Sequence, residues 1–305
     1  MPRALSPGGY IAARIASLWW FMFAIGAAVF LVVTAYLLLA LARRRSAEAA
    51  EPGVGPWLVT WGGAIVPGAI VLALMVATVH ALSVTMNPIQ PVGLTVEVSA
   101  YQWWWDVHYP EQGFRTANEI HIPVGRPVRV MLQGGDVIHS FWVPELAGKT
   151  DMMPGEVTQT WLQADEVGTF RGLCAEFCGL QHAQMQFLVI SHPESDYVAW
   201  LGQQAQPAPT PGFESTLRGL EIFLSSACVG CHTIRGTTAI GTLGPDLTHV
   251  ASRKELAAGT VDNTVGNLAG WILDSQSLKQ GNLMPPMPMP PEDLLALLSY
   301  METLR

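Results

Sequence analysis

The sequence predicts a membrane-anchored, multidomain protein: a two-helix transmembrane hairpin, then an all-β domain, then an all-α domain. Three observations predict it. Residues 15–42, between Arg14 and Arg43, carry no charge, and no Asp, Glu, Lys or Arg occurs from Pro52 to Val96. From about Gly93, apolar and polar residues alternate with period two, the mark of half-buried strands. Beyond a charge-free stretch rich in Pro, Gln and Ala, Gln203 to Gly212, the pattern turns helical and ends on Leu294-Leu-Ala-Leu-Leu-Ser-Tyr300-Met.

Composition agrees. Of 305 residues, 50% are hydrophobic and 13% charged, against roughly 25% charged in soluble domains. The formal charge of −8 argues against a nucleic-acid partner, because phosphate binding needs a basic face. Residues 1–90 hold five basic groups (Arg3, Arg14, Arg43, Arg44, Arg45) and two acids (Glu48, Glu51); the remaining chain holds 11 basic and 22 acidic groups. Four cysteines are too few for a disulfide scaffold.

The hairpin occupies residues 1–90, with spans at about 15–41 and 57–82. Each exceeds the ~20 apolar residues that cross a bilayer. Trp19 and Trp20 lie near one end of the first, where interfacial aromatics gather. A cleaved signal has an apolar run of only about 7–15 residues, so the first span reads as an anchor. Pro67 would kink the second span, which membrane helices tolerate.

The β-domain occupies residues 91–200. Leu94, Val96 and Val98 alternate with Thr95, Glu97 and Ser99; Val128, Val130 and Leu132 repeat the pattern, and Gly and Pro punctuate the runs. Short strands so spaced suggest a sandwich or barrel. Its chemistry lies in Cys174-Ala-Glu176-Phe-Cys178-Gly-Leu-Gln-His182-Ala-Gln-Met185. Thiolate and thioether are soft ligands that select copper or zinc, and a weak thioether beside His and Cys points to an electron-transfer copper. A Cys174–Cys178 disulfide would leave His182 and Met185 unexplained.

That segment resembles the binuclear copper centre, CuA, of subunit II of heme-copper terminal oxidases. Asp136-Val-Ile-His139-Ser-Phe-Trp-Val-Pro144, Lys149-Thr-Asp-Met-Met-Pro-Gly155 and Tyr101-Gln-Trp103-Trp104-Trp105 resemble further family segments. The resemblance covers about residues 10–200 and implies a cupredoxin-like domain. It also implies that Cys174 and Cys178 bridge two coppers and that His139 and His182 each bind one. Met185 would be a weak ligand to one copper and the Glu176 carbonyl to the other, while the Glu176 side chain would help hold a magnesium at the contact with subunit I. Trp103 is matched to the aromatic residue through which electrons reach the copper. Along a strand the three tryptophans would alternate faces, placing one or two in the core. His80, His108, His121 and His192 match no ligand position. Many members carry a glutamate just before the second span; here that place falls near Thr60, which puts proton uptake through this subunit in doubt.

Residues 201–212 read as an extended linker and 213–305 as the last domain. Cys228-Val-Gly-Cys231-His232 is a c-type heme attachment motif: two thioethers from Cys228 and Cys231, with His232 on the iron. A thioredoxin-like pair would need a βαβ pattern that is absent. Gly219 and Phe223 before the motif, Gly244-Pro245-Asp246-Leu247 after it and the apolar last helix resemble a class I cytochrome c. The sixth ligand should be a methionine. Lys279-Gln-Gly-Asn-Leu-Met284-Pro resembles the family's ligand loop, so Met284 is assigned, with Met287 and Met289 as packing at the heme edge.

Together these features resemble subunit II of a cytochrome c oxidase with a fused cytochrome c domain. The resemblance implies electron passage from a donor, a cytochrome c or a cytochrome bc complex, through heme c and CuA to subunit I, where oxygen is reduced to water. It implies subunit I, the other oxidase subunits and membrane lipid as partners. Heme attachment implies export, so both soluble domains are expected on the periplasmic face of a bacterial inner membrane. Arg43-Arg44-Arg45 would then lie in a cytoplasmic loop. The alternatives are the small subunit of a CuA-containing nitric oxide reductase and a stand-alone membrane-tethered electron carrier.

Overall fold

The computed structural model describes residues 5–42, 55–86, 88 and 90–305. Arg3, the Arg43–Arg45 triplet that bears on orientation, and Glu48 and Glu51 lie outside the described residues. The chain forms two compact units, Ala13–Ile89 and Met1–Ala12 with Gln90–Arg305.

The first unit is helical. Helix α1 spans Tyr10–Ala42; α2 (Pro56–Thr60), a π-helical turn at Trp61–Ile65 and α3 (Val66–Met86) follow one another without a break. At 33 and 31 residues, both helical stretches are long and apolar enough to cross a membrane; at about 1.5 Å per residue each exceeds a hydrocarbon core of about 30 Å. Their large apolar side chains, Phe30, Val32 and Val71 among them, are exposed, as an all-round apolar helix built for lipid requires. The π-turn answers the expectation of a kink at Pro67. Proline has no N–H and crowds the carbonyl four residues back, here Gly63; the wider π-turn over Trp61–Ile65 takes up that mismatch. The Thr60 hydroxyl donates to Pro56 O at 2.9 Å.

In the second unit, ten strands form two sheets. They are β1 (Thr95–Tyr101), β2 (Trp104–Tyr109), β3 (Phe114–Ala117), β4 (Glu119–Pro123), β5 (Val128–Gly134), β6 (His139–Trp142), β7 (Thr150–Met152), β8 (Val157–Leu162), β9 (Gly168–Cys174) and β10 (Gln186–His192). The sheet orders are β3-β2-β1-β5-β8 and β4-β10-β9-β6-β7. β1 runs parallel to β5, and β10 to β4; the other pairings are antiparallel. The alternation read from the sequence is visible in β1 and β5, where Val96, Val98, Val130 and Leu132 are buried. They pack with Trp105, Phe141, Phe187 and Val189 as the core of a cupredoxin-like sandwich. The segment before α1 and the first turn of α1 join this unit: Gly8 N donates to Glu145 O at 2.8 Å and Ala12 N to Leu146 O at 3.1 Å. The second bond satisfies a first-turn amide that the helix itself leaves unpaired.

Helix α4 (Glu194–Gln204) covers the edge of the second sheet through Tyr197 and Trp200. It reaches four residues into the stretch expected to be linker. The remainder of that stretch is bound: Ala208 N donates to Arg235 O at 2.9 Å, and the Arg235 guanidinium donates to the carbonyls of Gln204 and Ala205. A strap held in this way lacks the freedom expected of a tether.

The last domain comprises α5 (Glu214–Ser225), α6 (Cys228–Cys231), the short pair β11 (Glu255–Leu256) and β12 (Val261–Asp262), α7 (Val265–Leu273), α8 (Ser275–Leu278) and α9 (Pro291–Met301). Helices α5 and α9 cross at Gly219. A Cβ there would lie 2.1 Å from Ala296 O, so only glycine lets the backbones approach. Phe223, Ile272, Leu297 and Tyr300 form the core. This domain is docked on the sandwich. Arg171 makes a bidentate pair with Glu255 at 2.6 and 2.7 Å, Lys254 N donates to Glu119 Oε1 at 2.6 Å, and Gln186 N donates to Ala258 O at 3.0 Å.

Candidate metal centre and cofactor cleft

Cys174 ends β9 and pairs in register with Phe141 of β6, which brings His139, at the start of β6, beside it. The following loop carries Cys178, His182 and Met185 back over the same point. Cys174 Sγ lies 3.7 Å from Cys178 Sγ, 3.8 Å from His139 Nδ1 and 3.2 Å from Glu176 O. Cys178 Sγ lies 3.6 Å from His182 Nδ1 and 3.8 Å from Met185 Sδ. A disulfide needs about 2.05 Å, so the cysteines are unbridged. His139, Cys174, Cys178 and Met185 are buried. All six residues named from the sequence therefore meet at one place, with each cysteine flanked by one imidazole. Two sulfurs, two imidazoles, a thioether and a carbonyl are a soft donor set suited to copper.

Groups around the donors fix their orientation. Asp136 Oδ1 accepts from His139 Nε2 at 2.8 Å, which turns Nδ1 toward Cys174. Its Oδ2 accepts from Gln102 N at 2.6 Å. Burial opposes charge on His139, but the hydrogen bonds to Cys174 and Asp136 prevail and raise its pKa. The hydrogen bond between the two sulfurs outweighs burial and brings the Cys174 thiol well down; the same contact, with burial, pushes Cys178 up. The Glu176 carboxylate is exposed and sits 3.3 Å from Lys149 Nζ.

Trp103 lies on the turn between β1 and β2 rather than in a strand. Its indole Nε1 donates to Cys178 O at 3.0 Å, and Gln102 Nε2 donates to the same carbonyl at 2.7 Å. Gly179 makes room for them: its φ is +113°, and a Cβ would lie 2.9 Å from Gln102 Nε2 and 3.1 Å from the Trp103 ring. Of the three tryptophans, Trp105 is the core residue, and Trp104 stacks on Tyr101 at 5.3 Å.

On the other side of Trp103 is a largely apolar cavity of about 410 Å³ lined by Cys228, Cys231, His232, Met284 and Met287, and by Trp103 itself. His232 Nδ1 donates to Pro245 O at 2.8 Å, leaving Nε2 for a metal. Burial lowers its pKa against the raising effect of that carbonyl, which keeps the imidazole neutral as a ligand must be. Met284 is anchored by its backbone: N donates to Asn282 Oδ1 at 2.8 Å, and its carbonyl accepts from Ser275 Oγ at 2.6 Å. Met287 and Met289 pack on the helical core, and Met289 is not among the cavity's lining residues. An apolar slot with two thiols, an imidazole and a thioether fits a covalently held heme.

Asp136 and Gln102 act in the copper-type site without having been singled out from sequence. The Asp-x-x-His spacing was a usable signal for the first; adjacency to Trp103 was the only one for the second.

Residues 112–192 match the family described as cytochrome c oxidase subunit II, periplasmic domain, and residues 217–305 match the cytochrome c family. Cytochrome c oxidase subunit 2 of Alkalihalophilus pseudofirmus is 36% identical over 280 residues, 88% of this chain and 80% of the relative. Alternative cytochrome c oxidase subunit 2 of Bradyrhizobium diazoefficiens is 41% identical over 133 residues, 44% of this chain and 45% of the relative. Among solved structures, the periplasmic domain of subunit II of cytochrome oxidase of Bradyrhizobium japonicum is 29% identical with a TM-score of 0.37, covering 38% of this chain and 96% of that one. The two families imply copper in the sandwich and heme in the tail, and the chain belongs to the cytochrome c oxidase subunit 2 family, with a cytochrome c domain in the same polypeptide.

Proposed function

We propose that this chain is the electron-input subunit of a terminal cytochrome c oxidase, relaying electrons from an external donor toward subunit I, where oxygen is reduced to water. When bound, heme c and the copper pair would supply one-electron chemistry, which needs no bond made or broken.

Cys174, Cys178, His139 and His182 would hold the copper pair, with Met185 and the Glu176 carbonyl as weaker donors. Cys228 and Cys231 would carry the heme, and His232 and Met284 would ligate its iron. Trp103 lies on the path between the two sites. Asp136 holds the His139 ring, and Pro245 holds the His232 ring. The magnesium implied for the Glu176 side chain would need further ligands from subunit I and displacement of Lys149. The membrane is the bacterial inner membrane, with the soluble unit on its periplasmic face, and the donor is a cytochrome c or a cytochrome bc complex.

One observation carries this reading: Trp103 lines the cavity that holds Cys228, Cys231 and His232, and its ring is hydrogen-bonded to Cys178. The test is purification of the intact complex. Expected are two coppers per chain, one heme resistant to denaturing extraction, and oxygen consumption with reduced cytochrome c. A single copper, an extractable heme, or consumption of nitric oxide in place of oxygen overturns it.

A further inference from the structure

Lys279 follows α8 on the loop that leads to Met284, and it is 2% exposed. Its ammonium donates to three backbone carbonyls: Trp103 O at 2.9 Å, Gln184 O at 2.8 Å and Ala257 O at 2.8 Å. An ammonium has three N–H groups, and all three are used. The acceptors come from three separate segments. Trp103 is on the β1–β2 turn, Gln184 is beside Met185 at the end of the cysteine loop, and Ala257 is on a turn of the last domain.

That third segment is strained. Ala257 and Ala258 have φ of 53° and 58°, followed by Gly259 at 80°. Left-handed non-glycine residues are disfavoured and persist only where surroundings hold them. Both alanine carbonyls are held, Ala257 O by Lys279 within the same domain and Ala258 O across the seam by Gln186 N. The next residue on the lysine's own loop repeats the theme: Gln181 of the cysteine loop donates to Gln280 O.

Lys279 forms no ion pair among the described residues, and burial lowers its pKa to about 7. A buried cation without a carboxylate is unfavourable for stability alone; satisfied by three converging carbonyls, it fixes their relative positions. Trp103 is thereby held at both ends, its carbonyl by Lys279 and its indole by Cys178.

We infer that Lys279 is a positioning residue for electron hand-over: it locks the Trp103 turn and the cysteine loop against the heme cleft, so that the path is built in place rather than assembled by collision. The inference rests on the reading that the cleft holds heme c and the cysteines hold copper.

The test compares the intact complex with K279M, which keeps the stem and removes the donors. Amide hydrogen exchange should rise together at residues 102–104, 184–186 and 257–259. Heme-to-copper transfer after pre-reduction of the heme should fall roughly tenfold to a hundredfold, the scale on which a misplacement of about 1 Å costs rate. It should also gain a dependence on ionic strength. The donor KM and the heme and copper contents should stay unchanged while kcat falls, and the fall in the internal rate should exceed what any shift in the two potentials from loss of the cleft-lining cation accounts for. If K279M does not accumulate, K279Q, which retains a donor at shorter reach, is read in the same way. An unchanged internal rate, or exchange that rises only at residues 279–281, overturns the inference. Loss of either cofactor from the unmutated complex would instead overturn the reading beneath it.

Discussion

The indole nitrogen of Trp103 donates to the carbonyl of Cys178 at 3.0 Å. The same ring lines the cleft that holds the heme-attachment cysteines. One side chain thus touches the backbone of a proposed copper ligand and the wall of the proposed heme pocket. Trp103→Phe keeps an aromatic ring, though a smaller one, and removes the donor, at a local cost of about 1 kcal/mol for the hydrogen bond. Copper and heme contents should be unchanged and internal transfer several-fold slower, measured by stopped flow with the heme pre-reduced.

Asp136 holds the imidazole of His139 by its outer nitrogen. Asp136→Asn keeps the shape and weakens the acceptor. Loss of such a supporting partner costs about 10- to 100-fold in metal affinity. Copper competition titrations on the purified complex should show a fall in that range, while heme content stays constant.

Met284 and Met287 both line the cleft, but Met287 also packs on the helical core. Met284→Leu should abolish the low-spin His–Met absorption band. Met287→Leu should leave that band intact and lower only the melting temperature of the last domain. The reverse pattern would reassign the ligand.

His121 and His192 should give the docked unit an acid limit. They share a hydrogen bond of 2.8 Å, and His121 stacks on Trp200 at 3.9 Å. Burial lowers both pKa values; Glu119 opposes this at His121 and Asp196 at His192, while Lys254 reinforces it at both. Neutral imidazoles in the fold become protonated when the chain unfolds below the ordinary value of 6.5. Their contribution to stability is therefore complete above 6.5 and is lost as pH falls through and below it. The melting temperature, followed by tryptophan emission, should drop by a few degrees between pH 7.5 and 5.5. His192→Gln should flatten that dependence.

What was legible in the sequence was local. Five of the six copper-type donors lie in the twelve residues from Cys174 to Met185, and the heme cysteines are three apart; such spacing survives without knowledge of the fold. The spans were legible because absence of charge over so many residues has few other meanings. The seam was not. Lys279 meets Trp103 across 176 positions, Lys254 meets Glu119 across 135, and Arg171 meets Glu255 across 84, separations over which no periodicity carries information. The Pro- and Gln-rich strap looked extended because its own residues prefer that form, yet Arg235, remote in sequence, ties its carbonyls down. Alternation along a strand correctly expected one or two core tryptophans, and Trp105 is buried, but it did not foresee the turn: β1 ends at Tyr101 and β2 begins at Trp104, which leaves Trp103 outside either strand.

On the proposed function, the docked seam would also change the kinetic order of the relay. Where a diffusing carrier must find its acceptor, throughput scales with the carrier's abundance, and scarcity or crowding in the envelope slows respiration at that leg. In the proposed relay, two domains joined by the Arg171–Glu255 pair and its neighbours would make the same leg first order, indifferent to dilution. Sensitivity to supply would then be confined to the earlier meeting between this chain and its donor.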